Sequence, residues 1–133
     1  MTPEGAGARV VVADDDADIR ALVAIAVRRS GLELAGSVED GLAAIEAIRI
    51  FLPQLVVLDV SMPGKTGLEL CRIIRADEAL RDTRIMLLSA GATDASRQAG
   101  LDAGADEYFV KPFSPRELAA RLAELAALTR EGA

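Results

Sequence analysis

Four short apolar runs of this chain end in side chains able to do chemistry. Asp14, Asp15 and Asp16 follow Val10–Ala13, Asp59 follows Leu55–Leu58, Ser89 follows Ile85–Leu88, and Lys111-Pro112 follows Tyr108–Val110. Carboxylates ~4 Å apart repel by ~1 kcal/mol in water and ~4 kcal/mol near a protein surface, so three in succession need a reason. A hard divalent cation supplies one: magnesium takes oxygen ligands, typically one or two carboxylates with water and a phosphate oxygen. Asp14 and Asp15 facing Asp59 would form such a pocket, while Asp16 stands where the following helix needs an N-cap. A carboxylate such as Asp59 can also attack phosphorus and become an aspartyl phosphate. That chemistry requires a cation on the phosphoryl oxygens, with Lys111 and Ser89 binding the others. Each residue has a plainer role in isolation. The aspartates suit a solvated loop, Lys111 a surface salt bridge, Ser89 a strand-end hydrogen bond, and Tyr108 a strand position with its hydroxyl in water.

Positioning these groups requires a repeated scaffold. Apolar runs at Val10–Ala13, Leu32–Ala35, Leu55–Leu58, Ile85–Leu88 and Tyr108–Val110 alternate with helical patterns. Ile19, Leu22, Val23, Ala26 and Val27 lie on one face of a first helix, Leu42, Ile45 and Ile48 on a second, and Leu70, Cys71 and Ile74 on a third. Residues 94–101 are weakly patterned, which predicts a marginal fourth helix. The fifth opens with Ser114 as N-cap, Pro115 at the first helical position and Glu117 completing a capping box, with Leu118, Leu122 and Leu125 on its apolar face. Five strand–helix units in alternation imply an α/β fold, a doubly wound parallel sheet with helices on both faces. Continuously apolar strands fit that burial. Ligands of such sheets lie beyond the carboxyl ends of the strands, where strand order reverses.

Composition narrows the classes. The 133 residues suit one domain, with residues 1–8 as a disordered lead-in, 9–128 as the domain and 129–133 as a tail. A formal charge of −6 argues against nucleic-acid binding, which rewards basic side chains. The chain has no histidine and one cysteine, Cys71, read as core. Imidazole catalysis and an internal disulfide are therefore excluded, and a reducing, cytoplasmic setting is expected. No apolar run reaches membrane-spanning length.

The segments "VVVADDD", "LVVLDVSMPG", "IMLLSAG" and "GADEYFVKPF", in this order, resemble the signature segments of the response-regulator receiver domain of two-component signalling. The resemblance spans Arg9 to Leu128. It implies a flavodoxin-like fold of five strands and five helices with strand order 2-1-3-4-5. It implies Asp59 as phosphoacceptor and Mg²⁺ as cofactor, with Asp15 contacting the ion directly, Asp14 largely through water, and Ser61 through its backbone carbonyl. Lys111 would bind a phosphoryl oxygen, across an expected cis bond to Pro112. Ser89 and Tyr108 would be the switch pair, Tyr108 turning inward on phosphorylation. The implied partner is a sensor histidine kinase or histidine phosphotransfer protein, with acetyl phosphate as a small donor. The fourth helix, fifth strand and fifth helix would form the output face. A homodimer through that face is an expectation, with Asp106 and Arg121 as intersubunit ion partners. The domain would be a regulatory phosphoacceptor that assists its own phosphorylation, not an enzyme, with no direct contact to nucleic acid or membrane.

Some positions depart from the usual pattern. Ala13 is small, Ala17 replaces a common proline, and Lys65-Thr66 replaces an apolar–acidic pair, adding positive charge near the site. Ser61 and Gly91 are the variable neighbours that tune phosphoryl lifetime in such domains. Three rivals differ in kind. A flavin protein of this fold would need a phosphate cradle where three aspartates stand. A magnesium-dependent phosphatase with an aspartate nucleophile would carry a second acid at position 61. A degenerate receiver would dock or dimerise independently of phosphorylation.

Overall fold

The computed structural model describes residues 7–91 and 93–131 of the chain, with side chains as far as 128. Of the expected lead-in, Gly7 and Ala8 fall within the described residues. Ala8 is buried, and its carbonyl accepts from Glu33 N–H at 2.9 Å. The elements are β1 (Arg9–Ala13), α1 (Ala17–Arg29), β2 (Glu33–Val38), α2 (Gly41–Phe51), β3 (Leu55–Asp59), α3 (Gly67–Ala76), β4 (Arg84–Ser89), α4 (Asp94–Asp102), β5 (Glu107–Val110) and α5 (Pro115–Glu131).

The sheet is parallel throughout, in the order β2-β1-β3-β4-β5. Each strand delivers successive side chains to opposite faces, and both faces are covered. Val11, Ala13, Val56, Leu58, Ile85 and Leu87 face a core shared with α2 and α3. Val10, Val12, Leu55, Val57, Met86 and Leu88 face a second core under α1 and α5. This double burial is why the strands read as unbroken apolar runs. Full burial of one such side chain contributes ~1.5–3 kcal/mol.

The helices begin where the chain offers caps. Asp16 accepts from Asp18 and Ile19 N–H and opens α1, as expected. Ser114 accepts from Glu117 N–H at 3.0 Å to open α5. The reciprocal capping box lies elsewhere, at Thr66 and Glu69 in front of α3. Lys65-Thr66, which departs from the usual pattern, therefore serves as a helix start.

Two expectations need correction. Leu42 is 58% exposed rather than part of α2's inner face. That face is Gly41, Ala44, Ala47 and Ile48, the first three small enough to let the helix lie close on the sheet. The second strand does not end at Ala35 but runs to Val38. Its register with β1 shifts between Val10 and Val11, so that Ala35 is an extra residue and Gly36 lies opposite Val11. The fourth helix forms over Asp94–Asp102, and Gly100 is its one buried residue among those described.

The amino-terminal edge of the sheet is tied by one guanidinium. Arg75, at the end of α3, donates through Nε to Gly104 O (2.9 Å) and through Nη1 to Arg81 O (2.7 Å) and Thr83 O (2.6 Å). Its Nη2 lies 2.9 Å from Asp106 Oδ2. Asp106 also takes Arg84 Nη1 at 3.2 Å and the Ile85 N–H at 2.8 Å. Asp106 is thus met by three donors within its own chain. Replacing Arg75 by alanine takes its donors from three carbonyls and one of three donors from Asp106, at ~2–3 kcal/mol. The melting temperature of Arg75→Ala is expected to fall by about 10 °C, measured by circular dichroism.

Candidate functional site

Register brings the chemistry together. Ala13, Leu58, Leu87 and Tyr108 stand side by side across four strands. Asp14 and Asp59 lie one residue beyond that row, Ser89 two residues and Lys111 three. The chain passes from β1 to β2 on one side and returns to β3 on the other, so strand order reverses between Asp14 and Asp59. This is the switch point at which ligands of doubly wound sheets sit.

Asp14 is fully buried and Asp59 is 5% exposed, whereas Asp15 opens to solvent. One carboxylate oxygen from each of Asp14, Asp15 and Asp59 lies within 4.8 Å of the others. Lys111 Nζ stands 3.0 Å from Asp14 Oδ2 and 3.5 Å from Asp59 Oδ1. Asp14 Oδ1 accepts the Asp16 N–H at 2.9 Å, and Arg20 Nη1 donates to the Asp14 carbonyl at 2.7 Å. Asp14 Oδ2 is different. Although it is ion-paired with Lys111, no donor is aligned with it as a hydrogen bond.

The electrostatics follow from burial. Desolvation raises the Asp59 carboxyl above its ordinary value, and the neighbouring Asp14 adds to the rise. The Ser61 N–H, 3.2 Å from Asp59 Oδ1, and Lys111 pull the other way without cancelling it. Burial works against the charge of Lys111, yet Asp14 and Asp59 outweigh burial and hold the ammonium above its ordinary value. The pocket is therefore crowded with negative charge that one lysine only partly compensates.

These residues fit a magnesium ion. The donors are all hard oxygens, one buried carboxylate oxygen lacks an aligned donor, and the exposed Asp15 gives access from solvent.

Ser89 and Tyr108 stand beside the site. Ser89 is 8% exposed, and its hydroxyl accepts the Gly91 N–H at 3.0 Å. Its backbone carbonyl takes the Lys111 N–H at 2.8 Å, and the Lys111–Pro112 peptide is cis. Tyr108 does not hold its hydroxyl in water. It is 5% exposed, donates to Gly91 O at 2.9 Å and lies 3.2 Å from Ser96 Oγ. The Arg97 guanidinium covers the ring at 5.1 Å from its centroid. Gly100 supplies the space, since a Cβ there would stand 3.1 Å from the ring and 3.0 Å from Leu87. Tyr108 is already inward. Sequence reasoning missed this seat because Ser96, Arg97 and Gly100 lie in the weakly patterned helix. It also missed Arg20, which carries no local signal apart from its position one turn into α1.

A profile of the response regulator receiver domain matches residues 10–123. The chain belongs to the receiver-domain family of two-component response regulators. It is 40% identical over 114 residues to the DNA-binding response regulator MtrA of Mycobacterium tuberculosis, covering 86% of this chain and 48% of that protein. The chain thus spans about half the length of the curated relatives it matches. The receiver domain of the response regulator NarL of M. tuberculosis superposes with a TM-score of 0.84 at 33% identity, covering 91% of this chain and 97% of that one. The receiver domain of the sensor histidine kinase PA1611 of Pseudomonas aeruginosa superposes at 0.80 with 27% identity, over 91% and 98%. That structure holds a magnesium ion in its active-site cleft. Among the described residues, no helix is long and apolar enough to cross a membrane.

A raised carboxyl has a pH signature. Below the ordinary value of 3.8, Asp59 is protonated in folded and unfolded chains alike and contributes nothing. Above its raised folded value the ionised form lowers stability in full. Asp59→Asn is therefore expected to melt about 3 °C above the parent at pH 7 in EDTA. The gain should vanish near pH 3. A scan of melting temperature against pH for both proteins checks this.

Proposed function

We propose that this domain is a phosphorylation-activated switch in which Asp59 accepts a phosphoryl group from a sensor histidine kinase, a histidine phosphotransfer protein or acetyl phosphate. One observation carries the proposal. Asp59 is buried and electrostatically unsatisfied, beside a charged lysine and two further carboxylates, at the switch point of the sheet. Asp14, Asp15 and Asp59, with the backbone carbonyl of Ser61, would hold Mg²⁺, which supplies positive charge against the phosphoryl oxygens.

An oxygen of ionised Asp59 attacks phosphorus. The new P–O bond forms as the donor's bond breaks, to nitrogen in a phosphohistidine or to oxygen in acetyl phosphate, and the electron pair leaves with imidazole or acetate. The Lys111 ammonium, already favoured in its charged form, stays protonated and binds an oxygen of the transferred group. The Ser89 hydroxyl turns to donate to another phosphoryl oxygen, which disturbs the bond it accepts from the Gly91 N–H. Because the Gly91 carbonyl accepts from Tyr108, moving that residue's backbone reaches the tyrosine, Ser96 and α4. The signal is then a shift between two conformations of the α4-β5-α5 face. The ring is inward beforehand, so its burial is not itself the signal.

Intact mass after incubation with acetyl phosphate and Mg²⁺ tests the chemistry. One added phosphoryl group is expected on the parent, and none on Asp59→Asn or in EDTA. No adduct, together with no binding of beryllofluoride, would leave phosphorylation-independent docking as the function.

The output face also suits a second copy of the chain. Arg97, Glu107, Glu117 and Arg121 border one groove there, two of each sign. Arg121 pairs with Glu107 inside the chain and lies 3.6 Å from Glu124. Since the groove carries equal numbers of both signs, a two-fold dimer can exchange these pairs between subunits. The acidic charge of the domain suits regulation of an output rather than contact with DNA. With beryllofluoride the parent is expected to sediment as a dimer and Arg121→Glu as a monomer. A parent that stays monomeric refutes the dimer.

A further inference from the structure

The loop between β3 and α3, residues 60–66, follows the phosphoacceptor and carries Ser61. Two helix starts hold it. Gly67, the first residue of α3, donates its N–H to Val60 O at 3.1 Å. Gly41, the first residue of α2, donates its N–H to Pro63 O at 3.1 Å. First-turn N–H groups have no partner within their own helix, and here both are spent on the same loop. The approach is too close for any side chain. A Cβ on Gly41 would overlap the Lys65 carbonyl oxygen and stand 2.5 Å from the Lys65 nitrogen. A Cβ on Gly67 would stand 2.5 Å from the carbonyl oxygen of Asp59 itself. The obstructing atoms are backbone, which cannot rotate away as a flexible side chain can. Gly64, at φ +78°, turns the loop toward Leu42, with that side chain 3.4 Å from where a Cβ would be.

We infer that Gly41 is a positioning residue for the metal side of the site, resting on the reading of Asp59 and its neighbours as a magnesium-dependent phosphoacceptor. Gly41 lies far from Asp59 in sequence and touches none of the three carboxylates. It fixes how closely the loop lies on α2, and so where the Ser61 backbone stands. Ser61 in turn donates to Asp59 Oδ1 at 3.2 Å. A side chain at position 41 lifts the loop from α2 and carries Ser61 away from the carboxylates. The sheet and the core under α1 and α5 lie beneath and need not follow, since the loop's buried Met62 belongs to the other core.

The test is Mg²⁺ affinity by titration calorimetry on the full chain, without any phosphoryl donor. Gly41→Ala is expected to bind Mg²⁺ about tenfold more weakly, the scale on which supporting groups tune metal sites. Its rate of phosphorylation by acetyl phosphate should recover at saturating Mg²⁺, because Asp59 and Lys111 are untouched. Gly36→Ala is the control. A Cβ there meets Phe51, Val11 and Ala47 at 3.5 to 3.7 Å, ordinary contact distances away from the site, so its affinity should match the parent. Pro63→Gly adds no atom and no charge but frees the loop, and should weaken Mg²⁺ binding about threefold. It serves should Gly41→Ala not fold. Unchanged Mg²⁺ affinity in the folded variants overturns the inference while leaving the phosphoacceptor standing. A parent that binds no Mg²⁺ overturns the metal-site reading, and this inference with it.

Discussion

The ammonium of Lys111 between two buried carboxylates is the contact on which the rest of this domain depends. Asp14 and Asp59 are nearly inaccessible to water, and Asp15 adds a third charge within 4.8 Å. Without a counter-charge, ionised carboxylates at that depth would be untenable. One lysine makes them tolerable without satisfying them, since Asp59 remains above its ordinary value and an oxygen of Asp14 lacks an aligned donor. A fully neutralised cluster would have no use for a cation or a phosphoryl group. The elements around it preserve this shortfall: β1 and β3 supply the acids, β4 holds the backbone of Lys111 through Ser89, and Arg20 and Asp16 fold the first loop back.

The opposite edge of the sheet makes the contrast plain. Asp106 also adjoins a strand, and it too sits among charged groups. It is met by Arg75, Arg84 and the Ile85 N–H. That edge is a staple, holding the entry of β4 and β5, and leaves nothing for a ligand to do. The same side chain type thus serves structure at one end of the sheet and chemistry at the other. The difference lies in how many donors reach it.

This difference also explains what the amino-acid sequence reveals. Apolar runs mark the strands because both faces are buried, and the groups that follow them converge because parallel strands in register end together. Asp14, Asp15, Asp59, Ser89 and Lys111 are therefore legible by position. The intrachain partners of Asp106 are not legible, because Arg75 and Arg84 approach it from elements 31 and 22 residues distant. Leu42 is misread as core because three of the four buried residues of α2 are glycine or alanine. Tyr108 is misread as wet because its seat is cut into α4 by Gly100, a residue with no side chain to count in a periodicity. What periodicity records is bulk, and in this chain several close fits depend on its absence.

Ser89, Gly91, Tyr108 and Ser96 form one run of hydrogen bonds from the edge that holds Asp59 to α4. The glycine at position 91 takes part only through its backbone, its carbonyl accepting from Tyr108 and its N–H donating to Ser89. A shift of the Ser89 hydroxyl is therefore felt by the backbone of that residue. The answer falls on α4, which buries little of itself and binds the tyrosine from both sides, with Ser96 at the hydroxyl and Arg97 over the ring. An element with so small a share of the core moves at little loss of buried area. The helix least legible in the sequence is for that reason the one best suited to carry the change.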